Sequence, residues 1–220
     1  GERVYELDKV DKMAPATTIN IAGGASYYDG EKWYIASSSN PNSSLITQFT
    51  LTCTDGTGTG VAVGYPKYKF VYSNGEKSAE NSWVGRSIVV PADDGKGTGN
   101  KTVGIEYWAK DVAGNEENHH VFEFEIDDEK PTLPEFDVQC DSAEEIANNW
   151  YNNKSGKPKV KIISEDEGVG IDVIKYSTDI STPTISYGEI FTLSDGVYYL
   201  IANAKDKLGN TTDNVYYSEN

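Results

Sequence analysis

Oxygen ligands are the chemistry this sequence offers most freely. Asp111 stands in AKDVAGN (109–115), Asp127, Asp128 and Glu129 follow in IDDEK (126–130), and Glu165 and Asp166 lie in SEDEG (164–168). Calcium takes about six to eight oxygens, drawn from several carboxylates and carbonyls at once. Acids delivered by separate short segments suit that demand. The expectation is therefore a calcium ion held by Asp111, Asp127, Asp128, Glu129, Glu165 and Asp166 where one module passes into the next. Asp111 has a competing use: with Gly114 and Asn115 it also spells a tight turn, in which Asp binds backbone N–H groups and Gly supplies positive φ.

Other chemistries find little to work with. His119 and His120 are the chain's two histidines. As neighbours on a strand they point to opposite faces and cannot share a metal, and two histidines leave scant material for a serine–histidine triad. The glycine-rich ADDGKGTGN (92–100) lacks the Lys-Ser/Thr ending of a phosphate loop and the helix behind it, so it reads as a hairpin loop. A glycosidase needs two carboxyls across a cleft, which small β-layers seldom form. No catalytic residue is assigned. Aromatic rings are the better lead, because their faces stack on sugars. Alternation puts Trp108 on an outward face with Glu106 and Lys110, and Trp83 falls at a strand end or in a loop. Trp83 and Trp108 are the candidate ligand-binding residues; the competing use for both is to cover the margins of the β-layers.

The balance of 35 acids against 19 bases gives a formal charge of −16. Such a chain repels phosphate backbones and anionic lipid, which argues against nucleic acid and membrane surface as partners. No apolar run reaches the roughly 18 to 20 residues of a membrane helix. Gly1 and a lone Met13 suggest a piece of a longer chain. The 15 tyrosines and 21 glycines suit many short strands and turns. Cys53 and Cys140 lie in different repeats (below) and are expected to stay unpaired.

The elements that position these residues come in duplicate. AKDVAGN (109–115) returns as AKDKLGN (204–210), an offset of 95, with five of seven positions identical. FTLTCTDGTGTGV (49–61) aligns with VKIISEDEGVGI (160–171) at 111, and KFVYS (69–73) with VIKYS (173–177) at 104. Side-chain phase survives the shift: Val103, Ile105, Tyr107 and Ala109 map onto Tyr198, Leu200, Ala202 and Ala204, one face of a strand in each copy. Strands are expected near 135–139, 158–164, 171–177, 188–193, 196–205 and 213–218, with SAEEIANNW (142–150) the one stretch able to form a helical turn. Asp195-Gly196 before Tyr198 reads as a tyrosine corner, the hydroxyl bonding back to nearby backbone. RVYELDKVDKMAP (3–15) is a weaker copy of VFEFEIDDEKPT (121–132). The division expected is a tail strand or linker at 1–12, a longer-looped module at 13–128 and a second module at 129–220.

AKDVAGN, IDDEKPT and DEGVGIDVIKYS together resemble the bacterial Ig-like repeats of large cell-surface and secreted proteins. The resemblance implies an all-β chain of two tandem immunoglobulin-like β-sandwich domains. It also implies an extracellular or cell-surface setting and a non-catalytic stalk or adhesin role. Partners would be other repeats of the same chain and a glycan or host surface protein. The alternative is a carbohydrate-binding accessory region of a secreted polysaccharide-degrading enzyme. The stretch TDGTGTGVAVGYP (54–66) is longer than the family pattern and marks the first module as the place for a grafted site.

Overall fold

The computed structural model describes residues 10–139 and 157–217, and the backbone of 145–147 and 150–151. The chain is all-β, with no helix among the described residues. It divides into two units, Gly1–Asp127 and Asp128–Asn220; Asp11 and its neighbours belong to the first. Residues 1–9 of the tail strand or linker expected at 1–12, and Cys140, lie outside the described residues. Within 142–150, residues 145–147 are extended rather than helical and the remainder, Trp150 backbone apart, also lies outside them.

In the first unit β1 (Ala16–Gly23), β2 (Ser26–Tyr28), β3 (Trp33–Ile35), β4 (Gln48–Thr54) and β5 (Lys67–Tyr72) are followed by β6 (Asn81–Ser82), β7 (Ile88–Val89), β8 (Thr102–Trp108), β9 (His120–Glu123) and β10 (Glu125–Ile126). They form antiparallel sheets β1-β4-β7 and β6-β5-β8-β9, and a small third sheet in which β10 runs parallel to β3. Alternation makes the core. Phe49 and Leu51 of β4 and Ile88 of β7 meet Ile105 of β8, with Tyr68 and Phe70 of β5 packed against them. Two sheets thus close over one apolar layer, a sandwich-like arrangement.

The second unit repeats the plan with β11 (Glu135–Gln139), β12 (Glu145–Ala147), β13 (Trp150–Tyr151), β14 (Lys159–Ile163), β15 (Ile171–Ser177), β16 (Ile185–Tyr187), β17 (Phe191–Thr192), β18 (Ile201–Asp206) and β19 (Val215–Tyr216). Its sheets are β11-β14-β17 and β16-β15-β18-β19, beside the β12-β13 pair. Val160 and Ile162 of β14 pack with Ala202 of β18, Ile174 and Tyr176 of β15 and Phe191 of β17. The strand expected over 196–205 begins only at Ile201, and the one expected over 188–193 shrinks to Phe191–Thr192. Tyr198 lies against Gly196, where an added Cβ would come within 3.3 Å of the ring. Among the described residues its hydroxyl makes no hydrogen bond, so the bond expected of a tyrosine corner is not found there.

Ladder pairing corrects one alignment. Lys67 of β5 pairs with Trp108 and Lys175 of β15 pairs with Asn203. Because Trp108 and Asn203 are themselves 95 apart, β5 matches β15 at an offset of 108, four residues from the expected 104. A slip of four is even and leaves every side chain on its own face.

Candidate functional site

Hydrogen bonds reproduce the duplicated turn group by group. In the first unit the Asp111 N–H donates to the Asn115 carbonyl (3.0 Å) and Gly114 N–H to the Asp111 carbonyl (3.3 Å); in the second the Asp206 N–H donates to Asn210 (3.1 Å) and Gly209 N–H to Asp206 (3.2 Å). Asp111 Oδ1 accepts the Asn115 N–H and Oδ2 accepts Asn115 Nδ2, each at 2.7 Å. Asp206 Oδ1 accepts the Asn210 N–H at 2.9 Å, and Oδ2 accepts Asn210 Nδ2 at 2.7 Å. Gly114 and Gly209 sit at φ 98° and 103°, a region L side chains avoid. The turn use of these residues is therefore met in both copies.

Asp111 has a second setting. Its carboxylate, 1% exposed, gathers with those of Asp11 and Asp55, one oxygen of each lying within 4.8 Å of the others. Two oxygens on one calcium are each about 2.3 to 2.6 Å from it and so at most about 5 Å apart; the cluster meets that limit. Asp11 and Asp55 converge over Gly58, where a Cβ would stand 2.6 Å from Asp11 Oδ2 and 2.5 Å from Asp55 Oδ2. Only glycine leaves the cradle open. Backbone donors already offset part of the negative charge: Thr59 N–H reaches Asp11 Oδ2 at 2.7 Å and Gly60 N–H reaches Asp55 Oδ2 at 2.5 Å. The Thr59 N–H, followed by that of Met13, holds the Asp11 carboxyl below the usual range.

Sequence reasoning named Asp111 and missed Asp11 and Asp55. Asp111 lies with those two acids of its own unit. The signal was present, since Asp55 matches Asp166 at the offset of 111 and the segment around Asp11 resembles that around Asp127. The remaining candidates are placed as follows. Asp127 is buried and its N–H donates to the Ile35 carbonyl at 2.9 Å. Asp128 and Glu129 open the second unit. The Glu165 N–H bonds Thr132 Oγ1 at 2.8 Å. Asp166 Oδ2 takes the Gly170 N–H at 2.6 Å, the same loop bond that Asp55 makes to Gly60. Burial, with a smaller push from Asp166, raises the Asp206 carboxyl above its ordinary value against the hydrogen bonds of Asn210 and Gly209.

The aromatic candidates behave differently from expectation. Trp108 does face outward, but it is 3% exposed. His119 stacks on it at 4.1 Å between centroids, and Lys69 stands 5.4 Å from the ring centre. Its face is covered, so it is no ready platform. Trp83 packs partly against the core and donates its indole N–H to the Arg86 carbonyl at 2.7 Å. His119 also reaches Glu106 (3.2 Å), while His120 stacks on Tyr107 and reaches Glu117 (3.4 Å). The two imidazoles thus serve opposite faces. Burial raises the Glu106 carboxyl, yet Lys77 and His119 outweigh it and hold it low. Cys53 is a free thiol whose pKa burial pushes up.

No helix among the described residues is long and apolar enough to cross a membrane. Compared with family models, curated proteins and solved structures, the chain matches none of them.

Proposed function

We propose that this chain is a non-catalytic structural and adhesive segment of a bacterial surface or secreted protein, built of tandem immunoglobulin-like β-sandwich modules that act as a stalk or spacer. The observation that carries the reading is the duplication: both units use the same two-sheet plan and the same Asp-Gly-Asn turn, held by the same four hydrogen bonds. Duplicated modules with conserved internal wiring are how chains extend reach without new chemistry.

Within the first unit the chain enters beside Asp11, and a calcium ion at Asp11, Asp55 and Asp111 ties that entering segment to the β4 loop and the β8 turn. Three like charges packed this closely favour a divalent cation. Extracellular modules of this kind bind calcium with Kd of roughly 10⁻⁴ to 10⁻³ M, which external calcium saturates.

The test is thermal unfolding of the full chain by tryptophan emission, with calcium and with chelator. Three of the four tryptophans, Trp33, Trp83 and Trp108, lie in the first unit. Calcium is expected to raise that transition, and Asp55→Asn to abolish the rise. Equal transitions with and without 5 mM calcium (roughly fivefold above the weak end of that range) would remove the ion from the reading. Turnover of a polysaccharide by the purified chain would overturn the non-catalytic assignment itself.

A further inference from the structure

The two units differ most on the outward face of their four-stranded sheets. In the first, Trp108 stacks on His119 with Lys69 over its ring, and two of the neighbouring lysines have carboxylates. Lys67 pairs with Glu80, and Lys110 lies 3.9 Å from Glu116. Lys67 also stands over Tyr65, 4.7 Å from the ring centre. Ladder pairing identifies the equivalents in the second unit. Trp108, Lys110, Glu116 and His119 become Asn203, Lys205, Thr211 and Asn214 at the offset of 95, and Lys67 becomes Lys175; Val173 stands opposite Lys205. Ser82 pairs with Lys67 as Ser186 pairs with Lys175, so Glu80 becomes Thr184.

Every filler is replaced by something smaller, and both acids become threonines. What results is a groove of about 230 Å³ lined by Val173, Lys175, Pro183, Asn203, Lys205 and Thr211. Asn203 Nδ2 donates to Asn214 Oδ1 at 2.9 Å. Lys205 retains one acid, Asp172 at 2.9 Å, whereas Lys175 has no carboxylate partner among the described residues. A chain with a formal charge of −16 thus keeps an unpaired ammonium beside a slot that its own sister module fills with an indole.

We propose that this groove binds a carboxylated sugar ring of an acidic polysaccharide. The ring would take the place occupied by Trp108 in the first unit, its carboxylate on Lys175 and its hydroxyls on Asn203 and Thr211, with Val173 and Pro183 as the apolar floor. Carbohydrate recognition combines such a ring-sized apolar patch with a few polar groups that fix orientation. The inference deepens the adhesive reading and rests on it for its biological sense, but it is independent of any cation.

The experiment titrates the full chain, in chelator, with a galacturonate oligosaccharide and with its neutral galactose counterpart, following amide resonances of β15 and β18. Saturable shifts at Lys175, Asn203 and Lys205 are expected with the acidic oligomer alone. Lys175→Ala, and separately Thr184→Glu, which restores the acid of the first unit, should each weaken binding at least about tenfold while leaving the remaining spectrum unchanged. The proposal falls if these amides do not saturate with galacturonate, or if the neutral oligomer shifts them equally. It also falls if Thr184→Glu leaves the affinity intact, or if an oligoglutamate binds as tightly, which would assign the groove to acidic peptides. None of these failures touches the stalk reading, whose own test is turnover and calcium response.

Discussion

Replacing Asp206 separates what its two oxygens do. The carboxylate is 0% exposed. Oδ1 accepts two backbone donors, the N–H groups of Gly209 (2.6 Å) and Asn210 (2.9 Å), while Oδ2 accepts only Asn210 Nδ2 (2.7 Å). Asp206→Ala takes the carboxylate acceptor away from the Asn210 N–H and Nδ2, in a site where Asn210 is itself 3% exposed, whereas the Gly209 N–H keeps the Asp206 carbonyl at 3.2 Å. At about 1 to 3 kcal/mol for each buried group left unsatisfied, and with some return from no longer burying a charge, the expected loss is about 3 kcal/mol. Asp206→Asn keeps an oxygen at Oδ1 and turns an amide toward Asn210 in place of Oδ2. One bond is lost, costing about 1 kcal/mol.

The pH dependence follows from the raised pKa of Asp206. A carboxyl whose folded pKa lies above its unfolded one binds its proton more tightly when folded, so its contribution is full below the unfolded value and declines as pH rises through the folded value. The cost of Asp206→Asn should therefore be larger in acid than at neutral pH. The assay is urea unfolding of the full chain, followed by the amide resonances of Ile201–Asp206. Equal losses for the two variants, or losses below about 0.5 kcal/mol for both (the ordinary effect of a surface change), would refute this account of the turn.

Two further outcomes are expected. Gly24 lies at φ +75° with a Cβ position 2.0 Å from the Ile46 carbonyl oxygen, so Gly24→Ala should cost about 3 kcal/mol or more, whereas Gly30→Ala, at φ +108° in open space, should cost less; chemical denaturation by tryptophan emission compares them. Asp179 is held down to about 2 by the hydroxyls of Ser181 and Ser177 and by the Ser181 N–H, so it contributes stability that is complete above its ordinary value of 3.8 and fades as pH falls toward 2; Asp179→Asn should flatten the acid limb of the second unit's unfolding in that window and leave neutral pH behaviour with less change in slope.

Much of this was legible from alternation, and its limits are those of alternation. The inward set Ile105, Ala109, Ala202 and Ala204 was read from phase and is buried, because a half-buried strand must alternate. The β5 to β15 match was misplaced by four residues for the same reason: an even slip preserves phase, and only ladder pairing detects it. Trp108 was correctly placed outward but not recognised as covered. Its cover, His119, comes from the segment leading into β9, and cross-strand neighbours cannot be read from one strand's pattern. Asp11 and Asp55 went unnoticed because they come together only when the entering segment lies across the β4 loop. The groove of the second unit was invisible for a related reason. It consists of substitutions relative to its sister unit, and those substitutions have meaning only once the ladder says which residues correspond.

The parallel pair of β3 and β10 bears on how the first unit meets mechanical load. β10 is the last strand before the unit ends, and it is held by Glu125 and Ile126 opposite Tyr34 and Ile35, with the Asp127 N–H bonded to the Ile35 carbonyl. Tension leaving the unit through Asp127 reaches the body first at this clasp. When the pull runs along the strand, its hydrogen bonds lie across the force and share it, so they must yield together instead of peeling singly. In the stalk proposed above, this short strand, whose Ile126 packs on the core, is thus where load leaving the unit is first resisted.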